Sequence, residues 1–145
     1  MSGSKRILLV DDDTDILHAT TMRLSVAGFE TSTAHDGMEA AAAVIAEQPD
    51  AIVMDVRMPY KDGLTILDEL KKESNTRQIP IVMLSASLID KERALDAGAS
   101  YFLTKPYEGH KLVEAVNAAI DDSATLSEAM CVHVATENIE SEVQV

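Results

Sequence analysis

One cysteine in 145 residues, Cys131, has no partner for an internal disulfide and fits a reducing compartment. Basic residues are scarce: 12 Lys and Arg stand against 25 Asp and Glu, for a net charge of −13. Gripping nucleic acid requires a basic face for the phosphates, so no direct nucleic-acid contact is expected of these residues. No apolar run approaches the ~20 residues of a membrane-spanning helix, so no membrane partner is expected either. The N-terminal MSGSKR passes straight into the first apolar run without the apolar core of a signal peptide, and the expected location is cytoplasmic. What the chain does have is apolar residue, 46%, enough to bury a single proper core.

That apolar content is gathered in five short runs: RILLV (6–10), FETSTA (29–34), AIVMDV (51–56), IVMLS (81–85) and SYFLT (100–104). The first, third and fourth are nearly continuous in Ile, Leu, Val and Met, as in strands of a parallel sheet buried on both faces. The second alternates and suits an edge strand. Helical patterns fill the gaps. Ile16, Ala19, Thr20, Leu24 and Ala27 mark one face before Gly28 ends the first helix. Asp36 can cap the second, and Leu64, Leu67 and Leu70 space the third, with Lys71 and Lys72 in its last turn. The fourth ends at Gly98, and the fifth carries Leu112, Val113, Val116 and Ile120. Strict alternation of strand and helix predicts a doubly wound α/β domain with helices on both sheet faces.

Beyond residue 120 the composition shifts to six acidic residues with no Lys or Arg. Neither helical nor strand patterning fits this stretch well. The expected organisation is one domain over 5–121 followed by an acidic tail or linker, 122–145, expected to be mobile.

In open α/β sheets, sites form beyond the carboxyl ends of the strands. The first run ends on Asp11 and Asp12, the third on Asp55, the fourth on Ser85, and the fifth leads to Lys105 and Pro106. Like charges 4 Å apart repel by roughly 4 kcal/mol at an effective dielectric of about 20. Three converging carboxylates would therefore raise at least one pKa unless a hard divalent cation such as Mg²⁺ joined them. Asp55 then becomes a candidate nucleophile, since aspartyl phosphates are an established class of covalent intermediate. Ser85 could donate to a phosphoryl oxygen and Lys105 could pair with the added charge. Asp13 and Asp15 are expected in the first turn of the following helix, where its dipole favours negative charge.

The stretches LLVDD, IVMDVRMPYKDG, PIVMLSA and AGASYFLTKPY, in that order, resemble the response-regulator receiver domain of two-component signalling over about residues 5 to 121. The resemblance implies a flavodoxin-like five-stranded parallel sheet of order 2-1-3-4-5 flanked by five helices. It implies Asp55 as phosphoacceptor, and Asp12 and Asp55 as direct Mg²⁺ ligands, with Asp11 acting through water. The backbone carbonyl of Arg57 would be a further ligand. Ser85 and Lys105 match the hydroxyl and lysine that hold the phosphoryl group, and Phe102 matches the aromatic switch. A cis bond before Pro106 is also implied. The implied phosphodonor is a sensor histidine kinase or histidine phosphotransfer protein. A downstream protein, an attached output domain or a second copy would use the face made by the fourth helix, fifth strand and fifth helix. Tyr101 should point away from Phe102, on the other side of the strand.

Other patterns are weaker. DDDTDI opens like an EF-hand loop, but Ile16 stands where glycine is needed and Met22 where the bidentate Glu belongs. A haloacid-dehalogenase-type phosphatase, a metal-dependent enzyme acting on external substrates, is the alternative reading, but Asp15 replaces the Thr of its D-x-D-x-T signature. His18, His35, His110 and His133 show no metal-ligand spacing and are expected at the surface, and Gly63 is expected to free a loop and begin the third helix.

Overall fold

The computed structural model describes residues 4–59 and 61–132, with side chains as far as Ser123. Strands and helices alternate throughout: β1 (Arg6–Val10), α1 (Thr14–Val26), β2 (Glu30–Ala34), α2 (Gly37–Glu47), β3 (Ala51–Asp55), α3 (Gly63–Lys72), β4 (Ile81–Ser85), α4 (Ile89–Asp96), β5 (Tyr101–Thr104) and α5 (Gly109–Val132). The five strands form one parallel sheet in the order β2-β1-β3-β4-β5, as the sequence resemblance implied. The alternating run is the edge strand β2.

The continuous apolar runs are explained by two cores. Leu8, Val10, Ile52, Met54, Ile81 and Met83 face α2, α3 and α4, whereas Ile7, Leu9, Val53, Val82 and Leu84 face α1 and α5. Successive side chains point to opposite faces of a strand, so a sheet covered on both sides needs apolar residues at every position.

The helices begin and end where local chemistry allows. Asp13, Asp36 and Asp62 cap α1, α2 and α3, each accepting a hydrogen bond from a backbone N–H of the first turn. Asp13 is therefore the cap of α1 and Asp15 its first-turn acid. Gly28 and Gly98 follow α1 and α4 with φ of 101° and 111°, a region that favours glycine.

Two expectations need correction. The buried face of α1 is set by Leu17 and Leu24, while Ala19 and Ala27 are exposed. Leu17 and Leu24, seven residues apart, are large apolar side chains on one stripe, so they outweigh the alanines in fixing the helix rotation. The other concerns α5, which crosses residue 121 and continues to Val132. The stretch SATLSEAM holds good helix formers in Ala, Leu, Glu and Met, which prolong a helix already nucleated upstream. The rest of the presumed tail, 133–145, lies outside the described residues, as does His133.

Candidate phosphoryl and metal site

Parallel register brings the strand ends to one rim. Val10 is level with Met54, Asp55 with Leu84, and Ser85 with Thr104. Asp11 and Asp12 therefore leave β1 beside Asp55 at the end of β3, and Lys105 follows β5 past Ser85, with its N–H donating to the Ser85 carbonyl (2.9 Å). The Lys105–Pro106 bond is cis. Gly63 matters here through close approach rather than loop freedom: a Cβ would collide with the Asp55 carbonyl oxygen, and its N–H donates to Val56 O (2.8 Å).

Asp11, Asp12 and Asp55 each present a carboxylate oxygen within 4.8 Å of the others. Lys105 Nζ reaches Asp55 Oδ1 at 2.5 Å and stands 3.7 Å from Asp11 Oδ2. Asp11 Oδ1 accepts the Asp13 N–H at 2.9 Å, but Asp11 Oδ2 is buried and has no hydrogen-bond partner. Burial raises the pKa of Asp11, aided by the negative charge of Asp55 and opposed by the Asp13 N–H and by Lys105. Burial likewise raises Asp55, more than the Lys105 hydrogen bond lowers it. Burial works against the Lys105 charge, yet the hydrogen bond and attraction of Asp55, with Asp11 behind, leave its pKa raised.

Fully ionised, these three carboxylates and one ammonium carry two excess negative charges, which a divalent cation would balance. An orphaned, buried carboxylate oxygen among oxygen donors suits a hard cation such as Mg²⁺, so the residues fit that ion.

Ser85 and Arg57 are arranged differently. Ser85 is 1% exposed, and its hydroxyl donates to Asp90 Oδ2 at 2.6 Å while accepting the Ser87 N–H at 3.0 Å. The Arg57 guanidinium forks onto the same Asp90 carboxylate at 3.1 and 3.2 Å. Sequence reasoning missed Asp90, because an acid in the first turn of a helix is ordinarily read as a dipole partner. The available signal was an Arg two residues after Asp55.

Phe102 is half-buried and packs on the core beneath α3 and α4. Tyr101 packs on the opposite core, as alternation requires, and its hydroxyl donates to Asp122 in α5 at 2.6 Å. His18, His35 and His110 are exposed. A cleft of ≈ 560 Å³ between α1 and the start of α5 borders Lys105 but contains none of the three carboxylates. No helix among the described residues is long and apolar enough to cross a membrane.

The sequence model of the response regulator receiver domain matches residues 7–117. The transcriptional regulatory protein PrrA of Mycobacterium tuberculosis is 40% identical over 119 residues, covering 81% of this chain and 50% of PrrA. The DNA-binding dual master transcriptional regulator RpaA of Synechocystis is 35% identical over 117 residues, covering 79% of this chain and 48% of RpaA. The chain thus spans about half the length of these curated relatives. The expectation of no nucleic-acid contact rests on the charge of these residues and is not borne out for full-length relatives, since RpaA is a DNA-binding regulator. Among solved structures, the chemotaxis response regulator CheY4 of Vibrio cholerae superposes with a TM-score of 0.75 at 30% identity, covering 80% of this chain and 98% of that one. The receiver domain of the Francisella response regulator 1452 gives 0.76 at 32% identity, covering 83% and 99%. The haloacid-dehalogenase alternative gains no support from any of these.

Proposed function

The chain belongs to the response regulator receiver domain family of two-component signalling, and from the arrangement around Asp55 we propose that it accepts a phosphoryl group there. The donor is the phosphohistidine of a sensor histidine kinase or histidine phosphotransfer protein in the cytoplasm. The observation that carries this reading is the Lys105–Asp55 contact beside the orphaned Asp11 Oδ2. It supplies a nucleophile, a cation and an unpaired carboxylate oxygen suited to a metal ion in one place.

The Asp55 carboxylate attacks phosphorus. The P–O bond forms as the P–N bond to imidazole breaks, and the electron pair leaves with the imidazole. Asp12, Asp55 and the Arg57 carbonyl, with Asp11 through water, would hold Mg²⁺; when bound, it neutralises charge on the phosphoryl oxygens. Lys105 is already at the carboxylate and pairs with the new phosphoryl charge. Ser85 donates its hydroxyl to a phosphoryl oxygen. Such catalysis is mainly positioning and charge neutralisation, so the domain promotes its own phosphorylation and hydrolysis while acting as a switch.

Movement of Ser85 vacates space for Phe102 and so changes the face made by α4, β5 and α5. Leu88 and Ile89 are 67% and 73% exposed at the start of α4, apolar surface on which a downstream partner, an attached output domain or a second copy can dock.

Incubation with acetyl phosphate and Mg²⁺, read by intact-mass spectrometry, tests the proposal. One phosphoryl adduct is expected on the wild type and none on Asp55→Asn. Equal labelling of both would refute it.

A further inference from the structure

Asp90 is fully buried in the first turn of α4, a costly place for a carboxylate unless it is closely paired. Its partners come from both sides of the phosphoryl site. Ser85 donates to Oδ2 at 2.6 Å, Arg57 Nε approaches the same oxygen at 3.1 Å, and Arg57 Nη2 holds Oδ1 at 3.2 Å. Arg93, one turn along α4, stands 3.7 Å from Oδ1.

A serine hydroxyl has one proton to donate. In this structure that proton is committed to Asp90, and the Ser87 N–H fixes the oxygen from the other side. A phosphoryl group on Asp55 would need the same proton. Building on the reading of Asp55 as phosphoacceptor, we propose that Asp90 is a positioning residue that latches Ser85 away from the phosphoryl site. Phosphorylation must then compete with Asp90 for the Ser85 hydroxyl, and success releases the first turn of α4.

Arg57 makes the latch two-stranded. Its backbone lies two residues after Asp55, while its guanidinium, 67% exposed, is fastened to Asp90 in α4. Once Ser85 has left, Asp90 remains paired with Arg57, so the carboxylate is never stranded without a cation. Opening therefore costs one charge-assisted hydrogen bond rather than a buried, unpaired charge. The hydroxyl chooses between two anions, and the position of α4 records which one it has chosen.

The test uses the full chain with Mg²⁺ and beryllofluoride, a stand-in for the phosphoryl group on Asp55, with affinity read by calorimetry. Asp90→Ala should tighten beryllofluoride binding about tenfold, the equivalent of one hydrogen bond to a charged group. Asp90→Asn keeps the shape and an acceptor oxygen, so it should tighten binding by a smaller factor; it also serves if the alanine variant does not fold. In a Ser85→Ala background the Asp90 substitution should have no effect, since there is no proton to compete for. A merely structural role for Asp90 would change affinity equally in both backgrounds and would overturn the latch, as would an Asp90 substitution that leaves affinity unchanged in the otherwise wild-type protein. In the wild type, the Arg57 Nε–H resonance should move on adding beryllofluoride; a still resonance counts against the proposal. Asp55→Asn separates the two levels: if it still binds beryllofluoride, the phosphoacceptor reading falls and the latch with it. If it loses binding while Asp90→Ala changes nothing, the latch alone falls.

Discussion

Lys105 Nζ lies 2.5 Å from Asp55 Oδ1 and 3.7 Å from Asp11 Oδ2, so one ammonium serves two buried carboxylates from different strands. It occupies ground that a divalent cation would share. Lys105→Met should therefore strengthen Mg²⁺ binding severalfold by removing a competing positive charge. The same variant should lose most of its labelling by acetyl phosphate, because the phosphoryl charge then lacks a partner. Calorimetry and mass spectrometry read the two effects separately. Weaker Mg²⁺ binding would contradict this account of Lys105.

The raised pKa values of Asp11 and Asp55 fix the sign of a pH effect. The folded state holds these protons more tightly than the unfolded chain does. Stability without metal therefore falls as pH rises from the ordinary value of 3.8 through the raised folded values, and is then level. Asp11→Asn should be more stable than wild type at about pH 7, by on the order of 1 kcal/mol. Below about pH 4 that advantage should vanish, since the wild-type carboxyl is then neutral too. Mg²⁺ should narrow the gap by stabilising only the wild type appreciably. Urea unfolding across pH, with and without Mg²⁺, measures all three.

Much of this was legible in the sequence. Continuous apolar runs signalled strands covered on both faces, and their ends named Asp11, Asp12, Asp55, Ser85 and Lys105 because register in a parallel sheet aligns those ends. The rotation of α1 was not legible: a stripe through Ile16, Ala19 and Thr20 competes with one through Leu17 and Leu24, and only packing against β1 and α5 decides. Asp90 was hidden for a related reason. Its partners are 5 and 33 residues away, and no local pattern couples an acid in a helix turn to a serine and an arginine on other elements.

Tyr101 and Asp122 give a check on how α5 is tied to β5. The hydrogen bond to Asp122 pushes the Tyr101 hydroxyl up to about 12. Its small stabilising contribution is complete below the ordinary value of 10.0 and is lost as pH rises through about 12. Asp122→Asn should bring the Tyr101 ionisation back toward its ordinary value in an ultraviolet titration. No change would mean that the pair is not formed in solution.

Phe102 has no hydroxyl, so solvent offers its ring nothing that would oppose an inward position. Its aromatic resonances should shift when beryllofluoride and Mg²⁺ are added, together with those of Ser85. Changes at Ser85 and Asp55 with a silent Phe102 would show that the signal leaves by another route.

The central claim is a covalent one: the phosphoryl group is carried on Asp55 as an acyl phosphate. Borohydride reduction of protein phosphorylated by acetyl phosphate converts an aspartyl phosphate to homoserine, which peptide mass spectrometry locates. The account predicts homoserine at position 55, dependent on Mg²⁺ and absent without the phosphodonor. A phosphoryl adduct that leaves Asp55 unreduced, or homoserine at any other position, would contradict it.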